Sequence, residues 1–170
     1  MNLLKDLPAG TPDKMNVIVE INKGSHNKYE IDKATGIIAL DRVYYSTQHT
    51  PFDYGFVPQT LWEDGDALDV VLLTTYPMAP GILVPSRIVA MMDMVDSGES
   101  DVKIIAVPVG DPRWADVQDL KDINSHTIKE MEHYFMTYKQ LQKKEVTVKG
   151  FFGKKEAVEA FEKSKQAYVA

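Results

Sequence analysis

Between Met15 and Val107 the chain repeats one pattern, short runs of apolar and β-branched residues, each closed by residues that reverse a backbone. The runs are Met15 to Asn22, Lys28 to Asp32, Ile37 to Val43, Leu68 to Thr74, Ile82 to Met94 and Val102 to Val107. Asn22-Lys23-Gly24-Ser25, Lys33-Ala34-Thr35-Gly36, Pro77 to Gly81 and Asp96-Ser97-Gly98 stand between them, rich in the glycine, proline and short polar side chains of turns. Strands punctuated this closely predict a mainly β fold, a closed antiparallel barrel. After a connection at Pro108 to Pro112 the period changes. Ile128, Met131, Phe135, Tyr138 and Leu141 recur at steps of three and four, one helical face, with Ser125 as the N-cap. Ala157, Ala160, Phe161, Ser164 and Tyr168 share a face of a second amphipathic helix. The expectation is a barrel with two flanking C-terminal α-helices.

A chain of 170 residues suits a single domain spanning 1–170, with a core of its own. No apolar run reaches the length that crosses a bilayer, and the opening Met1-Asn2-Leu3-Leu4-Lys5-Asp6-Leu7-Pro8 lacks the extended apolar segment of a secretion signal, so a cytoplasmic protein without a membrane partner is expected. The absence of cysteine excludes disulfides, thiolate zinc sites and a cysteine nucleophile. A net charge of −6 argues against a nucleic-acid partner, which needs a surplus of lysine and arginine along a surface. It leaves phosphate-bearing small molecules open, because an acidic site loaded with divalent cations is locally positive.

Asp64-Gly65-Asp66-Ala67-Leu68-Asp69 sets three carboxylates within six residues, directly before the apolar run Val70-Val71-Leu72-Leu73. Two carboxylates about 4 Å apart repel by roughly 4 kcal/mol at an effective dielectric near 20, so a convergent group titrates or recruits a cation. Oxygen-only donors favour Mg²⁺, Mn²⁺ or Ca²⁺. In an extended chain Asp69 would point away from Asp64 and Asp66, so convergence requires a backbone bend at Gly65. An EF-hand is excluded, since Leu68 occupies the fifth loop position and Thr75 the twelfth. A solvated acidic turn capping a strand remains the plainer alternative. A second acidic loop, Asp96-Ser97-Gly98-Glu99-Ser100-Asp101, lies between two strands and is followed by Lys103. The two loops at one mouth of a barrel would hold more than one cation. Glu20, inside Val17-Ile18-Val19-Glu20-Ile21, is a further candidate, because a carboxylate in an apolar run needs a partner, a metal or an outward orientation.

Basic and hydroxyl-bearing residues stand in the strand-like segments and the first helix: Lys28 and Glu30 flank Tyr29, Arg42 follows Asp41, and Tyr138-Lys139 falls late in that helix. Singly each reads as a surface charge or core aromatic; together they are the donors that grip phosphate oxygens. Walker, dinucleotide-binding, nucleophile-elbow and His-Glu-x-x-His patterns are absent, and His26, His49, His126 and His133 are scattered.

From about Leu7 to Leu141 these residues resemble the soluble family I inorganic pyrophosphatases of bacterial type. The family's Asp-x-Asp-x-x-Asp signature corresponds to Asp64, Asp66 and Asp69, and Glu20, Lys28-Tyr29-Glu30-Ile31-Asp32, Asp41-Arg42, Tyr54-Gly55, Asp96 with Asp101 and Lys103, and Tyr138-Lys139 follow in order. Two positions depart from the pattern. Ala67 stands where proline or glutamate is usual, and Thr50 precedes Pro51 where many members carry a tyrosine, which puts in question one hydroxyl contact near the site that Tyr44 or Tyr45 either replaces or leaves unmade.

The resemblance implies an OB-fold-like barrel and Mg²⁺-dependent hydrolysis of pyrophosphate to two orthophosphates, by a metal-activated water in direct in-line attack. Several Mg²⁺ per site are implied, with Mn²⁺ or Zn²⁺ as substitutes. By the same resemblance Asp64, Asp69 and Asp101 hold the first metal, Asp69 bridges to a second, and Asp96, Asp101 and Glu20 bind those arriving with substrate. Asp66 is the general base and Glu30 orders water. Lys28, Arg42, Tyr54, Lys103, Tyr138 and Lys139 bind the phosphates, and a homohexamer is implied by analogy. Two rival readings are a single-stranded nucleic-acid module, which a small barrel permits but the acidic balance opposes, and a metal-dependent phosphoesterase of nucleotides or phosphomonoesters.

Overall fold

The computed structural model describes residues 1–169. Strands β1 (Gly10–Thr11), β2 (Lys14–Ile21), β3 (Asn27–Ile31), β4 (Ile38–Val43), β5 (Asp53–Phe56), β6 (Asp69–Leu72), β7 (Leu83–Asp96), β8 (Glu99–Ser100) and β9 (Lys103–Pro108) precede helix α1 (Ser125–Thr137), strand β10 (Val146–Phe152) and helix α2 (Lys154–Ala167). Each apolar run of the sequence becomes one of these strands, trimmed or extended at its ends. Strands β5 and β10 lie outside the expected runs. Asp53 and Gly55 are poor strand formers by propensity, and tertiary contacts override it here. The buried Asp53 carboxylate accepts from Lys23 N at 2.7 Å, Thr74 Oγ1 at 2.5 Å and Met78 N at 3.2 Å. Gly55 lies so close to the Ile18 carbonyl of β2 that a Cβ would have no room.

The main sheet runs β1-β2-β5-β6-β9-β7-β10, with β8 on β7 and a further pairing of β2 with β7, so the pairings β2-β5-β6-β9-β7 return to β2. Strands β3 and β4 form a separate two-stranded hairpin. The expected antiparallel arrangement needs one correction. Strands β6 and β9 pair in parallel, Asp69 opposite Lys103 and Leu72 opposite Ala106, and the sheet is mixed. The antiparallel traverse of β7 between them restores the chain direction, and hydropathy does not register strand direction.

The core has two parts, one on each face of β6 and β9. Val70, Leu72, Ile104 and Ala106 face Met15, Val17, Ile88 and Phe161, whereas Val71, Ile105 and Val107 face Phe52, Met131, Tyr134 and Phe135. Burial on both sides explains why these runs are continuously apolar rather than alternating. Helix α2 packs Ala157, Ala160, Phe161 and Ser164 inward, and full burial of the Phe161 ring contributes about 2 to 3 kcal/mol. Tyr168 lies one residue beyond the helix. The first turn of α2 is capped from a distance: Lys154 N donates to Asp119 Oδ1 at 3.0 Å.

Two details of α1 differ from the expectation. Its N-cap is Asn124, whose side chain accepts from His126 N at 2.8 Å, and Ser125 is already helical. The helix stops at Thr137, and Leu141 sits in a separate 3₁₀ turn, 64% exposed, because the backbone leaves the helical region at Lys139 (φ −104°, ψ 3°). Tyr138, still helical in its backbone, stays on the packed face of α1, and Lys139 just beyond it pairs with Asp96 at the end of β7. Among the described residues no helix is long and apolar enough to cross a membrane.

Candidate active site

The loop between β5 and β6 bends where the sequence requires it. Gly65 has φ +84°, a region costly for a side chain, and its N–H donates to the Trp62 carbonyl at 3.0 Å. Trp62 N donates to the Asp66 carbonyl at 2.7 Å, and Asp66 N to Asp64 Oδ1 at 3.0 Å. Leu61 N, just before it, donates to the Ser164 carbonyl, so α2 anchors the loop. The second acidic loop turns through Ser97 (φ 53°) and Gly98 (φ 90°) and returns Asp101 beside β7.

Both loops open onto one cavity of about 340 Å³. Its walls carry Glu20, Glu30, Asp64, Asp66, Asp69, Asp96, Glu99 and Asp101, faced by Lys28, Lys33, Lys103 and Lys139 with Tyr54 and Tyr138. Of the residues anticipated from sequence, only Arg42 stands outside this lining. It lies opposite Lys28 in the β3–β4 register, its guanidinium 2.5 Å from Asp41, and its charge reaches both Lys28 and Tyr138.

Lys103 is the electrostatic centre. Only 3% exposed, it places its ammonium 2.5 Å from Asp69 Oδ2 and 2.5 Å from Asp101 Oδ1. Burial works against its charged form, but Asp69 and Asp101 outweigh burial and raise its pKa. The carboxylates around it remain short of positive charge. Burial, then the Asp69 charge, pushes Glu20 up to about 8, even though Ile31 N donates to Glu20 Oε1 at 2.7 Å. Burial pushes Asp101 up to about 6 against the pull of Lys103, and burial raises Asp64 as well. Asp96 is the exception: burial opposes it, but the ion pair and hydrogen bond from Lys139 hold its carboxyl below the usual range. Burial lifts the Tyr54 and Tyr138 phenols, so both keep their protons as donors.

Among the described residues no three acidic or histidine side chains enclose a common point; Asp69 and Asp101 converge on Lys103. The donor set nevertheless fits a hard divalent cation. It consists of carboxylate oxygens on several elements, with acids outnumbering bases and burial resisting further negative charge, the condition a cation relieves. No histidine lines the cavity.

Sequence reasoning missed Lys33, which pairs with Asp66 and donates to the Gly65 carbonyl at 3.2 Å. Its place in a reversing turn marks it only as punctuation, since periodicity says nothing of where a turn side chain reaches. Asp41 was seen only as a neighbour of Arg42; it also lies 3.4 Å from the Lys28 ammonium.

A profile of the inorganic pyrophosphatase family matches residues 17–169. Soluble inorganic pyrophosphatase 1 of Arabidopsis thaliana is 44% identical over 163 residues, covering 96% of this chain and 77% of the relative. The inorganic pyrophosphatase of Haloferax volcanii is 44% identical over 171 residues, covering 99% of this chain and 97% of the relative. The crystal structure of inorganic pyrophosphatase from Thermus thermophilus superposes with a TM-score of 0.95 at 40% identity, covering 99% of each chain. With its sequence, fold and acidic cavity in agreement, the chain belongs to the inorganic pyrophosphatase family, hydrolases acting on diphosphate.

Proposed function

We propose that this chain hydrolyses inorganic pyrophosphate to two orthophosphates with Mg²⁺, by attack of water in line with the bond that breaks. The observation that carries this reading is the sharing of one cavity by two acidic loops and by basic residues from β3, β9 and the end of α1. Pyrophosphate bears several negative charges, so it needs cations on one side and directed donors on the other.

Asp64, Asp69 and Asp101 would hold the first Mg²⁺ and Asp96, Asp101 and Glu20 those that accompany substrate. Bound there, Mg²⁺, or Mn²⁺ or Zn²⁺ in its place, would neutralise substrate charge and lower the pKa of the attacking water. Asp66, solvent-exposed and paired with Lys33, accepts the proton of that water as general base. Glu30, paired with Lys28, orients water beside it. Lys28, Arg42, Lys103 and Lys139 with the Tyr54 and Tyr138 hydroxyls grip the phosphate oxygens and stabilise charge on the departing group. The chain acts as one domain over residues 1–170, and the return of its strand pairings from β7 to β2 supports reading it as a closed barrel of OB type. A cytoplasmic homohexamer with no nucleic-acid partner completes the reading.

Phosphate release from pyrophosphate, ATP and a phosphomonoester, assayed side by side with Mg²⁺, tests it. Pyrophosphate is expected to be strongly preferred, Asp69→Asn to be inactive and Ca²⁺ to inhibit. Equal or faster release from ATP or the phosphomonoester would replace this reading with a general phosphoesterase.

A further inference from the structure

The connection between β4 and β5 carries a chain of hydroxyl groups. The Tyr44 hydroxyl lies 2.9 Å from Thr50 Oγ1 and 2.6 Å from the Tyr134 hydroxyl, and Thr50 is 1% exposed. The backbone on either side is tied to the segment leading into β3: Tyr44 N donates to the His26 carbonyl at 2.9 Å, and Thr50 N to that of Ser25 at 3.0 Å. On the far side Gln48 Nε2 donates to Thr137 Oγ1 in the last turn of α1 at 2.6 Å. One connection thus clasps both the hairpin that carries Lys28 and Arg42 and the helix whose end carries Tyr138 and Lys139.

The clasp continues through rings. Tyr134 stacks on Tyr138 with centroids 5.2 Å apart and planes at 25°, and Tyr44 meets Tyr138 edge-on at 6.5 Å. Phe52 and Phe135 bring Tyr54 into the same cluster. Tyr54 and Tyr138 line the cavity, whereas Tyr44, Thr50 and Tyr134 do not.

We infer that Tyr44 is a positioning residue for phosphate: through Thr50 and Tyr134 it sets the spacing between the hairpin donors and the Tyr138 and Lys139 donors of α1. The inference rests on the hydrolysis of pyrophosphate proposed above. Two groups 2.6 to 2.9 Å apart in a part-buried network are coupled, so removing any one member should cost about as much as removing several.

The test compares Tyr44→Phe and Thr50→Val, which delete one hydroxyl each, with Thr50→Ser, which keeps it, and with the double variant. Steady-state kinetics with pyrophosphate, calorimetric titration with inorganic phosphate and thermal melts are measured on each. Tyr44→Phe and Thr50→Val are expected to raise KM and weaken phosphate binding by about three- to tenfold, with kcat within about twofold. The double variant should be no worse than either single one, and Thr50→Ser close to wild type. Unchanged KM and phosphate affinity in Tyr44→Phe would overturn the inference, as would a lowered melting temperature with KM unaltered, the mark of a purely structural bond. A wild-type protein that binds phosphate but releases none from pyrophosphate would refute the proposed activity; weaker phosphate binding by Tyr44→Phe would then still uphold the positioning role.

Discussion

The ammonium of Lys103 and the carboxylate of Asp101 lie 2.5 Å apart at the start of the only parallel strand pairing among the described residues, with Asp69 completing the group from the neighbouring strand. Removing the cation while leaving two carboxylates beside each other in a buried place is more costly than losing one contact. Lys103→Met is expected to destabilise protein stripped of divalent cations by about 3 to 5 kcal/mol in urea melts. Added Mg²⁺ should restore part of the loss. A variant as stable as wild type in chelator would contradict the assignment of Lys103 as the internal counter-charge.

Glu20 gives stability a dependence on pH. Its carboxyl has an ordinary value of 4.5 and is pushed up to about 8 by burial and by Asp69. The folded chain therefore keeps this proton after the unfolded chain has released it. Stability falls as pH rises from about 4.5 toward 8 and levels off above, a loss of order a few kcal/mol. Denaturant melts in chelator at about pH 5 and about pH 8 should show this slope in wild type and a flatter one in Glu20→Gln.

Asp66 and Asp69 should separate in their effects. Asp66 is exposed at the loop tip, whereas Asp69 begins β6 against Lys103. Asp66→Asn is expected to lower turnover on the order of 10²-fold or more with Mg²⁺ affinity little changed. Asp69→Asn should weaken both. Parallel losses of turnover and Mg²⁺ affinity in Asp66→Asn, measured by kinetics and Mg²⁺ titration, would remove it as the base.

Gly55→Ala probes the fold rather than the chemistry. A methyl group there would stand against the Ile18 carbonyl of β2, and neither backbone can withdraw without breaking the β2–β5 pairing. Overpacking against backbone costs about 1 to 3 kcal/mol or more, and expression yield and melting temperature should both drop. A melting temperature equal to wild type would show that the two strands separate more readily than their packing suggests.

How far these features were legible depends on whether their cause is local. Strand-forming runs, the two helical segments, the bend at Gly65 and the acidic character of both loops are written in neighbouring residues, because propensity, turn chemistry and period act over a few positions. The Asp-x-Asp-x-x-Asp order, read with Glu20, Lys28 and Tyr138-Lys139, was sufficient to indicate the family. Strand β5 escaped because the contacts that stabilise it come from elsewhere: Asp53 is satisfied by Lys23, Thr74 and Met78. Lys33 escaped for the same reason, since it acts on a residue distant in the chain, and the sequence left the choice between Tyr44 and Tyr45 undecided because the Tyr134 hydroxyl that Tyr44 meets is likewise distant.

By itself, then, the sequence determined which segments extend or coil, where the backbone reverses and which oxygen donors are available, all through forces that operate between near neighbours. Tertiary structure alone decided that β6 and β9 run parallel, that Asp69 and Asp101 meet on Lys103, and that Arg42 stands opposite Lys28. Those outcomes depend on strand direction and on burial, which arise only when distant segments share one core and their charges must be balanced out of reach of water.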